Sequence, residues 1–194
     1  MSSLPAAEPT LAAPGAGLPP LELAIARVVF PIGAAFTSWN SALERFRAEG
    51  ERILDLVQPL STPRLTERVL IRRIRGIEDS SRYWSPAMVL DHLVIVGNAI
   101  GNIVVSLSLG QRPPGEASIA AVKPDPAVGP KLIGRFHDLL ASYPRLLAEH
   151  VKTRDSRTTY PHPWFGELTA RQWHVLASFH QGIHRRQLLA ILQP

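Results

Sequence analysis

The sequence predicts an all-helical protein, an up-and-down four-helix bundle with a long crossover connection and an N-terminal extension. Three observations carry that prediction. Apolar residues recur at helical spacing in four long segments, proline-rich stretches separate them, and no segment alternates apolar and polar residues as a half-buried strand does. The 194 residues suit one domain with some excess at an end, and 45% hydrophobic against 19% charged residues is the balance of a chain that buries a core.

Residues 1–20 are rich in proline, alanine and glycine without an apolar period, so they read as a flexible tail. Residues 21–36 form an apolar extension, broken by Glu22, Arg27 and Pro31, that suits a short amphipathic element lying on the bundle or on a partner. The bundle domain spans 37–194. Its first helix covers 37–57, with Trp39, Leu43, Phe46, Ile53 and Leu56 as the buried stripe and Pro59 and Pro63 as its close. The basic, aliphatic segment 65–75 continues helically before a loop through Gly76, Ser80 and Ser81.

Ser85 is placed to cap the second helix, Pro86 suits its first position, and Trp84 can staple onto Val89. Its core stripe reads Met88, His92, Ile95, Val96, Ala99 and Ile103, ending near Gly110. Residues 117–130 carry three prolines and make a connection longer than most bundle loops, of the kind that covers sites. The third helix runs over 131–151, where Pro144 removes one backbone bond and should kink it or split off its last turn. A polar stretch crosses back to the fourth helix, 170–192. There Thr169 and Gln172 match a capping box, and Leu168 and Trp173 are spaced for a hydrophobic staple.

Residues three, four and seven apart share a helix face, so Trp173, Ala177, His180, His184, Gln187 and Ile191 form one stripe aimed at the core. Leaving such imidazoles and an amide unpartnered there costs roughly 1–3 kcal/mol each. Hydrogen bonds to ordinary core partners or a shared metal ion would satisfy them. Histidines at i and i+4 direct nitrogens to a common point, as in the helices that hold zinc through HExxH, although here Gln181, Gly182 and Ile183 intervene and the glutamate base is missing. His92 lies on the apolar stripe of the second helix, so His92, His180 and His184 can converge, and three ligands leave a coordination position for water or substrate. His137, His150 and His174 read as surface or packing residues, His174 being about 120° from His180 on an ideal helix.

Around this triad, Gln187 either orients a ligand or is a packed polar residue. His162, ahead of the fourth helix, either serves as an acid or base at the metal opening or plugs the end of the bundle with Trp164 and Phe165. Arg185 and Arg186 either draw an acidic substrate or face solvent and a neighbouring helix. With no cysteine in the chain, disulfides, thiolate ligands and a cysteine nucleophile are excluded, and any thiol chemistry needs a thiol brought by the substrate. The net charge of +5 comes mainly from arginines scattered over helix faces, without a nucleic-acid motif, so no nucleic-acid partner is expected. The opening MSSLPAAEPT lacks the marks of a secretion signal and no stretch is expected to span a bilayer. A cytoplasmic location is therefore the expectation, and a homodimer is expected because bundles with apolar extensions often pair.

The segment WSPAMVLDHL (84–93) resembles the helix-two signature of the DinB-like (DinB/YfiT-type) superfamily, and HQGIHRRQL (180–188) resembles its fourth-helix signature. HPWFGELT (162–169) with Trp173 is similar to the linker of one uncharacterised branch. The resemblance covers roughly 37–194. It implies a four-helix bundle holding nickel, zinc or iron on His92, His180 and His184, and, in members of known activity, thiol-dependent transfer or isomerisation of a small-molecule substrate with a low-molecular-weight thiol as cofactor. A hydrolase activating water is the other enzymatic form of that reading. A non-catalytic metal-stabilised bundle acting through dimerisation or partner binding is its alternative. The related sulfoxide synthases are marked by HxxxHxE, and Arg186 stands here where the glutamate would be, which argues against their iron chemistry.

Overall fold

In the computed structural model, which describes residues 8–193, helix α1 (Pro20–Phe36) precedes α2 (Trp39–Val57), α3 (Thr62–Thr66) and strand β1 (Val69–Leu70). Strand β2 (Tyr83–Trp84), α4 (Pro86–Ser108), α5 (Lys131–His150), strands β3 (Thr159–His162) and β4 (Gly166–Thr169), and α6 (Ala170–Leu192) complete the order. The four long helices α2, α4, α5 and α6 form the predicted bundle: α4 packs on α5 and α6, and α2 closes the square against the same two.

The cap chemistry sets the helix starts. Ser38 and Ser85 accept the N–H of Ser41 and Met88, and Thr169 with Gln172 forms the full capping box, so α6 begins at Ala170 as its sequence requires. Helix α5 runs through Pro144 without splitting, ending at His150.

Helix α4 is the core helix. Its deep face is Leu90, Leu93, Gly97, Ile100, Gly101, Val104 and Leu107, whereas Ile95, Val96, Ala99 and Ile103 of the predicted stripe are only half-buried. The glycines explain the rotation. A Cβ on Gly97 would stand 2.6 Å from Leu139 Cδ2, and one on Gly101 2.8 Å from Leu146 Cδ2, so a side chain at either place would push the leucine tips of α5 aside. By length and composition alone α4 could also cross a bilayer, with mean hydropathy 1.7 over its most apolar window. That corrects the expectation that no stretch comes near such a span, although 67% of the window is buried in the bundle.

Two further expectations change. Segment 65–75 is not a helix: α3 stops at Thr66, and β1 pairs antiparallel with β2, Val69 opposite Trp84. The polar stretch before α6 likewise folds as a hairpin of β3 and β4, Tyr160 opposite Leu168 and His162 opposite Gly166, whose φ of 71° only glycine adopts without cost. Both ribbons are too short to show a period of two in the sequence.

The tail reading of 1–20 is corrected from residue 8 onward, residues 1–7 lying outside the described range. Glu78, 3% exposed, accepts the N–H of Gly15 (3.2 Å) and Gly17 (2.9 Å), Asp79 accepts that of Ala12 (2.8 Å), and Leu18 is buried. A carboxylate that satisfies backbone donors offsets the lost chain entropy, which composition alone does not reveal.

Candidate metal centre

His92 stands two turns into α4, and His180 and His184 stand one turn apart on α6, so the packing of α4 on α6 joins all three. His180 Nε2 lies 3.2 Å from His92 Nε2 and 3.2 Å from His184 Nε2, and one ligand nitrogen from each residue falls within 4.8 Å of the others. His92 and His184 are buried, His180 half-buried. Trp84 walls the site, its ring 5.2 Å from that of His92 and nearly parallel to that of His184 at 6.1 Å.

The outer nitrogens fix the protons. His92 Nδ1 is 2.6 Å from the Val122 carbonyl, which can only accept, so the proton is on Nδ1. His184 Nδ1 donates to Gln187 Oε1 at 2.6 Å, and Gln187 Nε2 donates to the Ser81 carbonyl at 2.7 Å, which holds the amide oxygen toward the histidine. The Nε2 atoms of His92 and His184 are thus bare lone pairs. A proton on His180 Nε2 can serve only one of them, so protein groups alone leave a nitrogen of the cluster unsatisfied.

A cation satisfies all three. Two nitrogens ~2.0–2.1 Å from a tetrahedral ion stand about 3.3–3.4 Å apart, and an octahedral ion brings them to about 3.0 Å, so the 3.2 Å separations fit a divalent metal. Burial, with the Lys123 charge nearby, lowers the His92 pKa to about 4, and burial joined by the neighbouring imidazoles puts His180 and His184 well below their usual range. At neutral pH the three rings are therefore in the uncharged form that ligates metal.

The long connection between α4 and α5 supplies the support. Its 3-10 turn, Ala120–Val122, presents the carbonyl to His92, and Asp125 N–H donates to Asp91 at 3.1 Å. Between them Lys123 Nζ reaches Glu78 (2.9 Å), Ser80 (2.8 Å) and Ser81 (2.9 Å). Burial raises the Glu78 pKa, but the hydrogen bonds from Lys123, Gly15 and Gly17 outweigh it and hold the carboxyl below its ordinary value. Sequence reading found no role for Glu78, Lys123 or Val122, since each acts through partners distant in the chain.

His162 lies at the end of β3, in the hairpin that leads into α6. Its ring stacks on Phe165 (4.9 Å), sits 5.2 Å from Trp173, and its Nδ1 accepts the Trp164 N–H at 3.1 Å, leaving the neutral ring's proton on Nε2. Burial lowers its pKa to about 4, and its charge would oppose one on His180. His162 thus packs in the aromatic plug with Trp164, Phe165 and Trp173. Arg185 pairs with Glu49 of α2 at 2.6 Å, and Arg186 is exposed. His137 and His150 are on the surface, but His174 is fully buried. It donates from Nε2 to the Trp39 carbonyl (3.1 Å), and its Nδ1 accepts the Tyr143 hydroxyl (3.0 Å).

Fold and site together define a four-helix bundle protein with a histidine triad able to hold a metal ion. A solved structure described as "TT2238, a four-helix bundle protein" is similar over 79% of this chain and 98% of that one, with a TM-score of 0.52 and 23% identity, a likeness of fold. No family model matches the sequence, and no curated protein does.

Proposed function

We propose that the chain is a DinB-like metal-dependent enzyme in which His92, His180 and His184 hold one divalent ion and a small thiol or a water takes an open position beside it. The observation that carries this reading is the inward convergence of three neutral Nε2 atoms whose outer nitrogens, on two of the rings, are already committed to Val122 and Gln187. A bound divalent ion supplies Lewis acidity that makes a thiol or water more acidic at neutral pH.

The chain's own groups then have separate tasks. Val122 and Gln187 hold two rings in one tautomer, Trp84 excludes water from one side, and His162, its proton on Nε2, is the candidate donor to a substrate or leaving group. Lacking cysteine, the protein leaves the nucleophile to be brought in from solution. Nickel, zinc and iron all suit three imidazoles. The proposed setting is the cytoplasm, where small thiols are abundant.

A second reading is favoured by the burial of His92 and His184 beneath the α4–α5 connection: a metal that only stabilises the bundle. Metal analysis of untagged protein, followed by turnover of electrophiles with a panel of small thiols and with water, separates the two. The enzyme reading expects about one ion per chain and turnover lost in His184→Ala. One ion per chain with no turnover under any thiol or in water supports the stabilising reading, and protein that neither contains nor takes up nickel, zinc or iron overturns both.

A further inference from the structure

Helix α1 turns two faces to different surroundings. Toward the protein, Glu22 pairs with Arg73 and accepts the Gly76 N–H (2.7 Å), and Arg27 donates to the Trp164 carbonyl (2.7 Å). Phe30 stacks on Phe165 at 4.6 Å, Ala34 is buried, and Arg171 of α6 caps the last carbonyls of α1, those of Ala34 (2.6 Å) and Ala35 (2.9 Å). The helix is held at several points along its length.

Away from the protein, Leu21, Ile25, Val28, Ile32 and Phe36 follow each other at steps of four, three, four and four residues, with Val29 alongside. All six are between 53% and 88% exposed, and Phe36 is the most exposed of the large apolar residues. Side chains with full areas of ~150–200 Å² exposed to these extents leave roughly 600–700 Å² of apolar surface on one helix. That exceeds the ~300–600 Å² of the largest patch on a typical monomer. With a polar rim it approaches the ~800 Å² that each partner contributes to a stable interface.

We infer that this face joins two copies of the chain, α1 against α1 of the partner, antiparallel about a two-fold axis near Val28. The stripe is self-complementary in shape. The small valines at its middle let the helices approach, and the bulky ends meet each other, Leu21 beside Phe36 of the partner subunit. Its charge distribution points away from a lipid surface, because an interfacial helix keeps a cationic face at the headgroups. Both charged residues of α1 are instead bound to the protein's own groups. The dimer also clamps the helix that carries Phe30 and Arg27, and through them the hairpin bearing His162, without touching the metal ligands.

Sedimentation of the untagged full chain at micromolar concentration should give a dimer, and Val28→Asp with Ile32→Asp should weaken it by ~100-fold or more while metal content and helical circular dichroism hold. Because the chain has no cysteine, Val28→Cys gives a second reading that does not depend on the charged variant folding. It should oxidise rapidly to a disulfide-linked dimer, while His137→Cys on α5 should not. A wild type that stays monomeric up to about 100 µM overturns the assignment. So does a dimer that survives the double charge variant, or a chain that stays monomeric and sediments with phosphatidylcholine–phosphatidylglycerol vesicles.

Discussion

His174 and the pair His180 and His184 lie on the same helix, α6, and carry the same side chain, but their nitrogens have different company. Both nitrogens of His174 are satisfied by protein: Nε2–H by the Trp39 carbonyl, Nδ1 by the Tyr143 hydroxyl. In the triad the outward nitrogens of His92 and His184 are satisfied in the same way, and the inward ones face one another with too few protons among them. Depth does not separate the two groups, since His174 is the more deeply buried. What separates them is donor count, and a surplus of lone pairs pointing at one place is the chemical mark of a cation site.

The largest test removes one triad nitrogen. His184→Ala leaves two ligands and frees Gln187, so metal content measured by elemental analysis should fall from about one ion per chain to near zero. The melting-point rise that added metal gives the wild type should vanish. With free metal at about 100 times its dissociation constant, that rise reflects roughly 2.7 kcal/mol. If His184→Ala keeps its metal, the ion sits elsewhere and the distinction between the two histidine groups fails.

Acid should act on both groups in the same direction. Burial lowers the folded pKa of His92 and His174 to about 4 from 6.5, so each contributes its full stability above the unfolded value near 6.5 and loses it as pH falls toward 4. Each shift corresponds to roughly 3 kcal/mol in metal-free protein. His162, also lowered to about 4, adds to the same window. Denaturant midpoints in chelator should therefore drop steeply between these pH values, and His174→Phe should have a visibly shallower slope. With metal present the wild type should keep its ion until the pH nears the lowered folded value of about 4 for His92, where protonation competes for the triad's lone pairs. An unchanged slope in His174→Phe would falsify the assignment of His174 as a buried neutral ring.

At neutral pH the same variant tests the other half of the contrast. Phenylalanine preserves a ring near Trp39 (4.3 Å) and Tyr143 (5.9 Å) but strands the Tyr143 hydroxyl, while the Trp39 carbonyl keeps its place in the hydrogen-bond ladder of α2. One buried hydroxyl without its acceptor should cost about 1–3 kcal/mol in urea unfolding. Metal content should stay at wild-type level, the reverse of His184→Ala.

How much of this contrast the sequence discloses depends on whether the partners are local. The i, i+4 spacing of His180 and His184, the cap at Ser85 and the Thr169–Gln172 capping box are relations within one or two turns, and the fold keeps them. His92 is legible as the third member because it lies on the apolar stripe of the second helix, and the packing of α4 on α6 brings it to the pair. His174 shows the limit: its place off the triad's face is legible, but Tyr143 and Trp39 are 31 and 135 residues away. Val122 is equally hidden, being a backbone carbonyl in a loop whose sequence shows no period. The hairpin of β3 and β4 escaped because four-residue strands containing Pro161 and Gly166 carry no pattern that composition can distinguish from a loop.

Gln187 offers the smallest and most discriminating effect, since it touches the triad without being a ligand. Its Oε1 accepts from His184 Nδ1 while its amide N–H is tied to Ser81, so Gln187→Leu removes the group that fixes the tautomer and leaves all three inward nitrogens in place. Loss of such support typically weakens metal binding about 10–100-fold, or roughly 1.4–2.7 kcal/mol. Competition with a chelator should read this as a shift in affinity at unchanged stoichiometry, and Gln187→Glu, which keeps an acceptor facing Nδ1, should recover much of it. Were Gln187 only a packed polar side chain, both substitutions would move the melting temperature and neither would move the affinity. The helix face that brings Gln187 into the core would then be a packing feature, and the triad's orientation would rest on Val122 and the surrounding rings.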